Sequence, residues 1–270
     1  VNDPFTFGAI SANNSLSDIY AMGGRPVAAM AIAGLSSCNG DPALLKEILK
    51  GAIYSLNQAE TFLIGGHSFE DPEIKFGLSV TGVIDKNRIL KISGARAGNL
   101  IILTKPLGIG ILSTALKGRK LSDEDMKEAI GWMMVLNKKA SEIALEANAT
   151  SCTDITGFGL LGHALNMVKN SDIDFIFNKE NIPVMNRVFE MIDSGMVPEG
   201  AYNNLRFLGE KVKFSSTVDE RWRLLLSDPQ TSGGLLITVD KENIKFFEKA
   251  GMFYAVIGKV VDGTGNILVA

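Results

Sequence analysis

A carboxylate stands where a β-prone run gives way to a glycine-rich helix start in TDITGFGLLGH, residues 153–163, and no other stretch constrains the folding of the chain as tightly. Residues 149–153 favour a strand, and Gly157, Gly159 and Gly162 follow within six residues. This junction puts Asp154 at the mouth of a strand, beside the free N–H groups of a helix start. Phosphate oxygens suit such N–H groups, and a carboxylate there suits the Mg²⁺ that accompanies phosphates. The same residues also read as a helix capped by Asp154 or Thr156, with glycines that let it pack closely. The local pattern leaves both open.

Residues 11–24 read as a helix that stops at Gly23-Gly24, with Pro26 beyond it. Ser11, Asn14 and Asp18 are spaced by three and four and share one face, while Ala12, Leu16 and Ile19 lie elsewhere and can pack. A hydroxyl, an amide and a carboxylate with no Lys or Arg suit a metal held through oxygen. An ordinary polar helix face is the other reading.

With 270 residues the chain holds one large domain or two of ordinary size, and 46% apolar residues suffice for a sizeable core. The net charge of −3, with scattered Lys and Arg, gives no basic footprint, so no nucleic-acid partner is expected. No apolar run approaches the ~18 residues of a membrane span, and Val1-Asn2-Asp3-Pro4 has no leader-like composition. Cys38 and Cys152 cannot build a disulfide framework. They read as small buried apolar residues and fit a reducing compartment, so a cytoplasmic location is expected.

Strands are predicted at residues 27–35, 61–64, 76–84, 99–103, 173–177, 235–239, 256–261 and 267–269. Asp41-Pro42 is an N-cap and first-turn proline for a helix whose stripe is Leu44, Leu45, Ile48, Leu49, Ala52, Ile53 and Leu56. Gly65-Gly66-His67-Ser68 follows the end of the second strand. A loop-rich crossing at residues 88–98 holds the domain boundary. One long helix is predicted from residue 122 to 148, with Ser122 and Asp125 as its capping signals. Others run from the Asp154 segment to residue 170, through residues 221–226 before Asp228-Pro229, and over 241–250, and residues 262–266 form a turn. Strands and helices without strict alternation favour an α+β fold.

NNSLSDIYAMGGRP, LIGGHS, LTKPLGIG, TDITGFGLLGH and SDPQTSGGLL occur in this order and spacing. Together they make the chain resemble the selenophosphate synthetase (selenide, water dikinase) family, from about Asp3 to Val269. The wider superfamily includes aminoimidazole ribonucleotide synthetase, thiamine-monophosphate kinase and a hydrogenase maturation protein. The resemblance implies two α/β domains, residues 1–94 and 95–270, the first forming a barrel across a homodimer. It implies synthesis of selenophosphate from ATP, selenide and water, with AMP and orthophosphate released. Asp18 and Asp154 would bind Mg²⁺, and Asp18, Gly66, His67 and Ser68 would bind ATP, the triplet from the neighbouring subunit. In the resembled family the reactive Cys or selenocysteine and a Lys lie upstream of the point matching Val1. No catalytic residue is therefore assigned here, and this chain alone is expected to be inactive. The alternatives are a sibling ATP-dependent kinase or synthetase, or a non-catalytic nucleotide-binding dimer module.

Without the resemblance, Gly66-His67-Ser68 reads as a tight turn, and Lys105 as a solvated lysine in preference to a phosphate contact. Asn13 and Asn14 either meet nucleotide or order their helix. His163 reads as structural. Asp228 to Gly234 is a capped turn entering a strand, with no chemical role assigned.

Overall fold

The computed structural model describes residues 1–36 and 42–270. The expected cap at Asp41 and the placement of Cys38 lie outside the described residues. In chain order the elements are α1 (Pro4–Ala21), β1 (Arg25–Leu35), α2 (Pro42–Gln58), β2 (Phe62–Glu70), β3 (Lys75–Val83), β4 (Leu100–Leu103), α3 (Ile109–Lys117), α4 (Lys127–Met134), α5 (Lys138–Glu146), β5 (Ser151–Asp154), α6 (Gly159–Val168), β6 (Ile173–Phe177), α7 (Val188–Asp193), α8 (Glu199–Leu208), β7 (Val212–Phe214), α9 (Glu220–Leu226), β8 (Leu235–Val239), α10 (Ile244–Lys249), β9 (Ala255–Asp262) and β10 (Ile267–Val269). Among the described residues no helix is long and apolar enough to cross a membrane.

Helix α1 starts two turns before the predicted Ser11. Asp3 accepts the N–H of Thr6 at 2.8 Å and its hydroxyl at 2.6 Å, and Pro4 occupies the first turn, where no N–H is needed. Glycines set how α1 meets α2. A Cβ on Gly8 would stand 1.9 Å from the Ile48 carbonyl oxygen, and one on Gly51 1.8 Å from that of Phe5. The two helices therefore touch backbone to backbone, and Leu16, Tyr20 and Leu56 cover Ala29 of the sheet below.

That sheet has the order β2-β1-β3, with β1 parallel to β2 and antiparallel to β3. Both edges of β1 are thus paired, so residues 27–35 cannot extend a sheet into another subunit, and the free edges belong to β2 and β3. Strand β2 also runs past its predicted end at Ile64. Leu63 pairs with Ala29 and Gly65 with Met30, leaving Ile64 as the extra residue of a bulge. Gly65 adopts φ +151°, a conformation open to glycine, and the strand resumes. Gly66, His67 and Ser68 are therefore strand residues opposite Ala31, Ile32 and Ala33, not a turn after a strand.

The remaining strands form one mixed sheet in the order β5-β8-β4-β9-β6-β10-β7. Pairs among β4, β5, β6, β8 and β9 are antiparallel, and β10 is parallel to β6 and β7. Ile101 and Leu103 pack on one face with Leu112, Leu160 and Leu161. Ile102 packs on the other with Ala144, Ile237 and Phe247, and Ala21 of α1 joins that cluster. The architecture is α+β, as the mixed element pattern predicts.

The single helix expected over residues 122–148 is two helices. Ser122 and Asp125 do cap each other, Ser122 N–H to Asp125 at 2.8 Å and Asp125 N–H to Ser122 Oγ at 3.3 Å. The helix then breaks after α4, where Val135 is extended with ψ 123°. The break has a tertiary cause: the Val135 carbonyl accepts the Lys105 Nζ at 2.7 Å. Helices α3, α7 and α8 and the three-residue β7 have no counterpart among the predicted elements. The six-residue α7 and the three-residue β7 carry too few residues to show a period.

SDPQTSGG acquires a role in this frame. Helix α3 has no cap of its own, since Gly108 precedes it. Gln230 Oε1 accepts the N–H groups of Gly108 and Ile109, each at 3.2 Å, and Asp228 Oδ2 accepts that of Gly110 at 3.0 Å. The two side chains thus cap α3 from a distant segment.

Asp228 is fully buried, and its Oδ1 has no partner among the described residues. Burial pushes its carboxyl up to about 7 from an ordinary 3.8, against the hydrogen bonds it accepts. The unfolded group ionises first as pH rises, so Asp228 favours folding below the ordinary carboxylate range and loses that contribution as pH climbs to about 7. We expect the stability difference between the parent and Asp228→Asn, measured by urea unfolding from pH 4 to pH 8, to shift in favour of the variant through this window. A difference that stays flat with pH would show that the buried carboxyl keeps its ordinary value.

Candidate functional site

Asp154 is the last residue of β5 and pairs with Leu235 at the start of β8. The chain then turns through Ile155, whose N–H donates to the Gly234 carbonyl at 2.9 Å. Neither Asp154 nor Thr156 caps α6 through its side chain, which removes the plain capping reading. The packing reading survives in part. A Cβ on Gly159, at φ +68°, would lie 2.7 Å from the Ser227 backbone carbon. Thr156 N–H instead donates to His163 Nε2 at 3.0 Å. That ring is therefore neutral, with its hydrogen on Nδ1, and burial holds it down at about 4. His163 is structural, as its position predicts.

Asp18 lies in the last turn of α1 and is exposed. The fold brings it to Asp154: both line a cleft of about 480 Å³ with Met22, Leu90, Ser93 and Thr153. Although the residue as a whole is exposed, partial desolvation of its carboxyl on the cleft wall, then the Asp154 carboxylate, raise Asp18 above its ordinary value, with His163 opposing. Burial raises Asp154 as well, opposed by a hydrogen bond from Ser17 and the charge of Lys105. Adjacent carboxylates, both pushed toward the neutral form, suit a cation. Among the described residues no three His, Cys, Asp or Glu side chains converge on a metal position. A pair fits Mg²⁺, which takes one or two carboxylates and completes its shell with water and phosphate oxygens.

The rest of the predicted α1 face does not join this cleft. Ser11 Oγ donates to the Phe7 carbonyl at 2.8 Å within its own helix. Asn14 Oδ1 accepts the Ser232 N–H at 2.8 Å, and Asn13 Nδ2 donates to the Met133 carbonyl at 3.1 Å. The two amides fasten α1 to its neighbours. Gly66 and Ser68 line a different cleft of about 490 Å³ with Ala31, Ala33, Leu45 and Leu49. His67 is also on its wall. Within one chain, then, the acidic pair and the Gly66-His67-Ser68 triplet occupy separate walls.

Lys105 corrects the expectation of a solvated lysine. It is 2% exposed, and Nζ donates at 2.7 Å to the carbonyls of both Val135 and Ser232. Burial lowers its ammonium to about 7, with Asp154 opposing the shift. Its position in sequence offered a signal: it follows the apolar run LIIL with only Thr104 between, and it precedes a proline. Ser17 and Asn137 also escaped sequence reading. Ser17 is buried at a helical spacing from Asn13 and Tyr20, both buried too, so a polar residue on the packing stripe was the available clue. Asn137 had no local signal, because the helix break places it.

The N-terminal domain model of AIR synthase related proteins matches residues 1–84, and the C-terminal domain model matches residues 96–270. A selenide, water dikinase of Citrifermentans bemidjiense is 45% identical over all of this chain and 79% of its own length. That of Clostridioides difficile is 41% identical over 90% of this chain and 69% of its own. Among solved structures, a thiamine-monophosphate kinase from Stenotrophomonas maltophilia superposes with a TM-score of 0.76 at 17% identity, over 99% of this chain and 79% of that one. The hydrogenase maturation protein HypE in complex with ATP superposes with a TM-score of 0.70 at 16% identity, over 97% and 75% of the two chains. The two structural likenesses establish the fold, and the sequence identities go further: this chain belongs to the selenide, water dikinase family of AIR synthase related proteins.

Proposed function

We propose that this protein makes selenophosphate from ATP, selenide and water, releasing AMP and orthophosphate. The observation that carries the proposal is the acidic pair Asp18 and Asp154 on one cleft, in a chain 45% identical throughout to a selenide, water dikinase. Asp18 and Asp154 would hold Mg²⁺ with the nucleotide phosphates. Bound there, Mg²⁺ supplies charge neutralisation to a departing phosphoryl group. Asp18 also meets the nucleotide on this reading, and positioning and charge account for most of the protein's contribution. Cys152 takes no part: it is buried, and burial pushes its thiol up, so it is not a ready nucleophile. Residues 1–94 and 95–270 are proposed as the two domains.

Gly66, His67 and Ser68 are proposed to meet the nucleotide held by the acidic pair of a second subunit. This agrees with their placement on another wall of the chain. The three-stranded sheet supplies a surface for such a dimer. Ala28 pairs with Phe62, so Phe62, Met30 and Ile32 share the face turned away from α1 and α2. Met30 and Ile32 are each 50% exposed and Phe62 74%, a contiguous apolar area of the kind a partner covers.

Three outcomes are expected. The full-length gene product given ATP, Mg²⁺ and selenide should yield selenophosphate and AMP by phosphorus NMR, and a phosphorylated product without selenide dependence would favour a sibling kinase. Asp18→Asn and Asp154→Asn should each weaken Mg·ATP binding by calorimetry while circular dichroism stays that of the parent. Unchanged binding in both variants would remove them as metal ligands. Light scattering at micromolar concentration should give a dimer mass, and Ile32→Glu should shift it toward the monomer. A monomeric parent would reject the shared site.

A further inference from the structure

We infer that Ile89 and Ile92, with Met22 beside them, form the wall that takes the base of the nucleotide, an inference that rests on Asp18 and Asp154 holding Mg·ATP. Residues 88–93 belong to no helix or strand, yet backbone hydrogen bonds pin them to both elements that carry the carboxylates. Leu90 N–H donates to the Met22 carbonyl just past α1, and Cys152 N–H in β5 donates to the Lys91 carbonyl, each at 2.9 Å. Strand β5 is the edge of its sheet, so the segment lies against that edge. Leu90 is buried in the same cluster as Ala21 and Cys152. The side chains on either side of it are therefore carried on a fixed backbone.

Ile89, Ile92 and Met22 are 38%, 44% and 52% exposed, and all three line the cleft of about 480 Å³ that holds Asp18 and Asp154. Large apolar side chains held open on one cleft mark a surface that a ligand covers. Charge selects the ligand. Two carboxylates repel a bare anion and accept a polyphosphate only through a shared divalent cation. The occupant is thus anionic at one end and flat and apolar at the other, as a nucleotide is. Lys91 and Ser93 line the same cleft, and their side chains make no hydrogen bond among the described residues, so their donors are open to acceptor nitrogens on the edge of a base. The cleft beside Gly66, His67 and Ser68 is apolar too, but no described carboxylate lines it. Within one chain, the cleft of Asp18 is where an acidic pair and an apolar wall meet.

The test compares a non-hydrolysable ATP analogue with inorganic tripolyphosphate, each titrated by calorimetry with Mg²⁺ in excess. Both present phosphates to the acidic pair, and only the first has a base. Ile89→Ser and Ile92→Ser combined should weaken binding of the analogue about tenfold and leave tripolyphosphate as in the parent. Phe207→Ser is the control: Phe207 is an exposed apolar residue of α8 that does not line the cleft, and its loss should change neither ligand. Parental binding of the analogue in the double variant overturns the inference. So does an equal loss of both ligands, which would place the effect in the cation site or in the fold. A photoreactive ATP with its azide on the base gives a second readout, and its label should fall on the peptide carrying residues 89–93. Label confined to residues 62–70 would put the base on the other wall and overturn the inference. If tripolyphosphate binds too weakly to titrate, the label decides alone. Asp154→Asn separates the two levels. Parental binding of both ligands in it removes the metal role of Asp154 and the wall with it. Loss of both in Asp154→Asn, with parental binding of the analogue in the double variant, removes the wall only.

Discussion

Gly233 and Gly234 run so close to two other segments that no side chain fits between them. A Cβ on Gly233 would stand 2.2 Å from the Ile155 carbonyl oxygen, and one on Gly234 2.5 Å from the Lys105 nitrogen. Much of the site depends on this approach. It lets Ile155 N–H reach the Gly234 carbonyl, and Leu235 N–H reach Thr104 Oγ1 at 2.8 Å, so the strand end carrying Asp154 and the one leading to Lys105 are locked to adjacent residues, Gly234 and Leu235. Just before the pair, Ser232 sits at φ +51°, a conformation that costs a non-glycine residue on the order of 1–3 kcal/mol. Its surroundings hold it there. Asn14 accepts its N–H, Lys105 donates to its carbonyl, and its hydroxyl donates to Met133.

The charges follow from the same packing. Lys105 is the cation nearest Asp154 in electrostatic effect, yet its ammonium is spent on the carbonyls of Val135 and Ser232. It fastens the helix break to the glycine segment and only moderates the field at Asp154. Burying an ammonium is costly unless its hydrogens are satisfied, and here two carbonyl acceptors take two of the three, offsetting part of that cost. Asp18 and Asp154 remain as neighbouring like charges on a cleft wall, each pushed toward its neutral form. A cation would relieve both. The helix break, Lys105 and Asn137 thus belong to one arrangement: the backbone irregularity that admits the lysine also delivers the amide to Gly233 and Ser17.

Strand positions were readable wherever apolar residues ran together, as in β1, β4 and β8, because burial on one or both faces writes itself into composition. Asp18 and Asp154 were readable because each stands at a glycine-flanked element end, where a functional carboxylate and a capping one look alike until family motifs separate them. Other features were opaque for stated reasons. Gly65-Gly66 looks like a turn, since glycine permits turns and bulges equally, and only pairing with β1 decides for the bulge. Residues 122–148 look like one helix, since nothing local marks the carbonyl that Lys105 captures. Lys105 is only hinted at by the apolar run before it, since its acceptors come from segments 30 and 127 residues away.

The sequence by itself determined the α+β class, the family through its ordered motifs, the core strands and the two carboxylates, all of which depend on local period or on chemistry carried within a few residues. Tertiary structure decided that those carboxylates share a cleft and that Gly66, His67 and Ser68 lie elsewhere. It also decided that Asp228 and Gln230 cap a helix over a hundred residues distant in the chain. The physical reason is common to all of these. A hydrogen bond or a close backbone approach between remote segments leaves no periodic trace in either one, and it exists only once the chain has brought both to the same place.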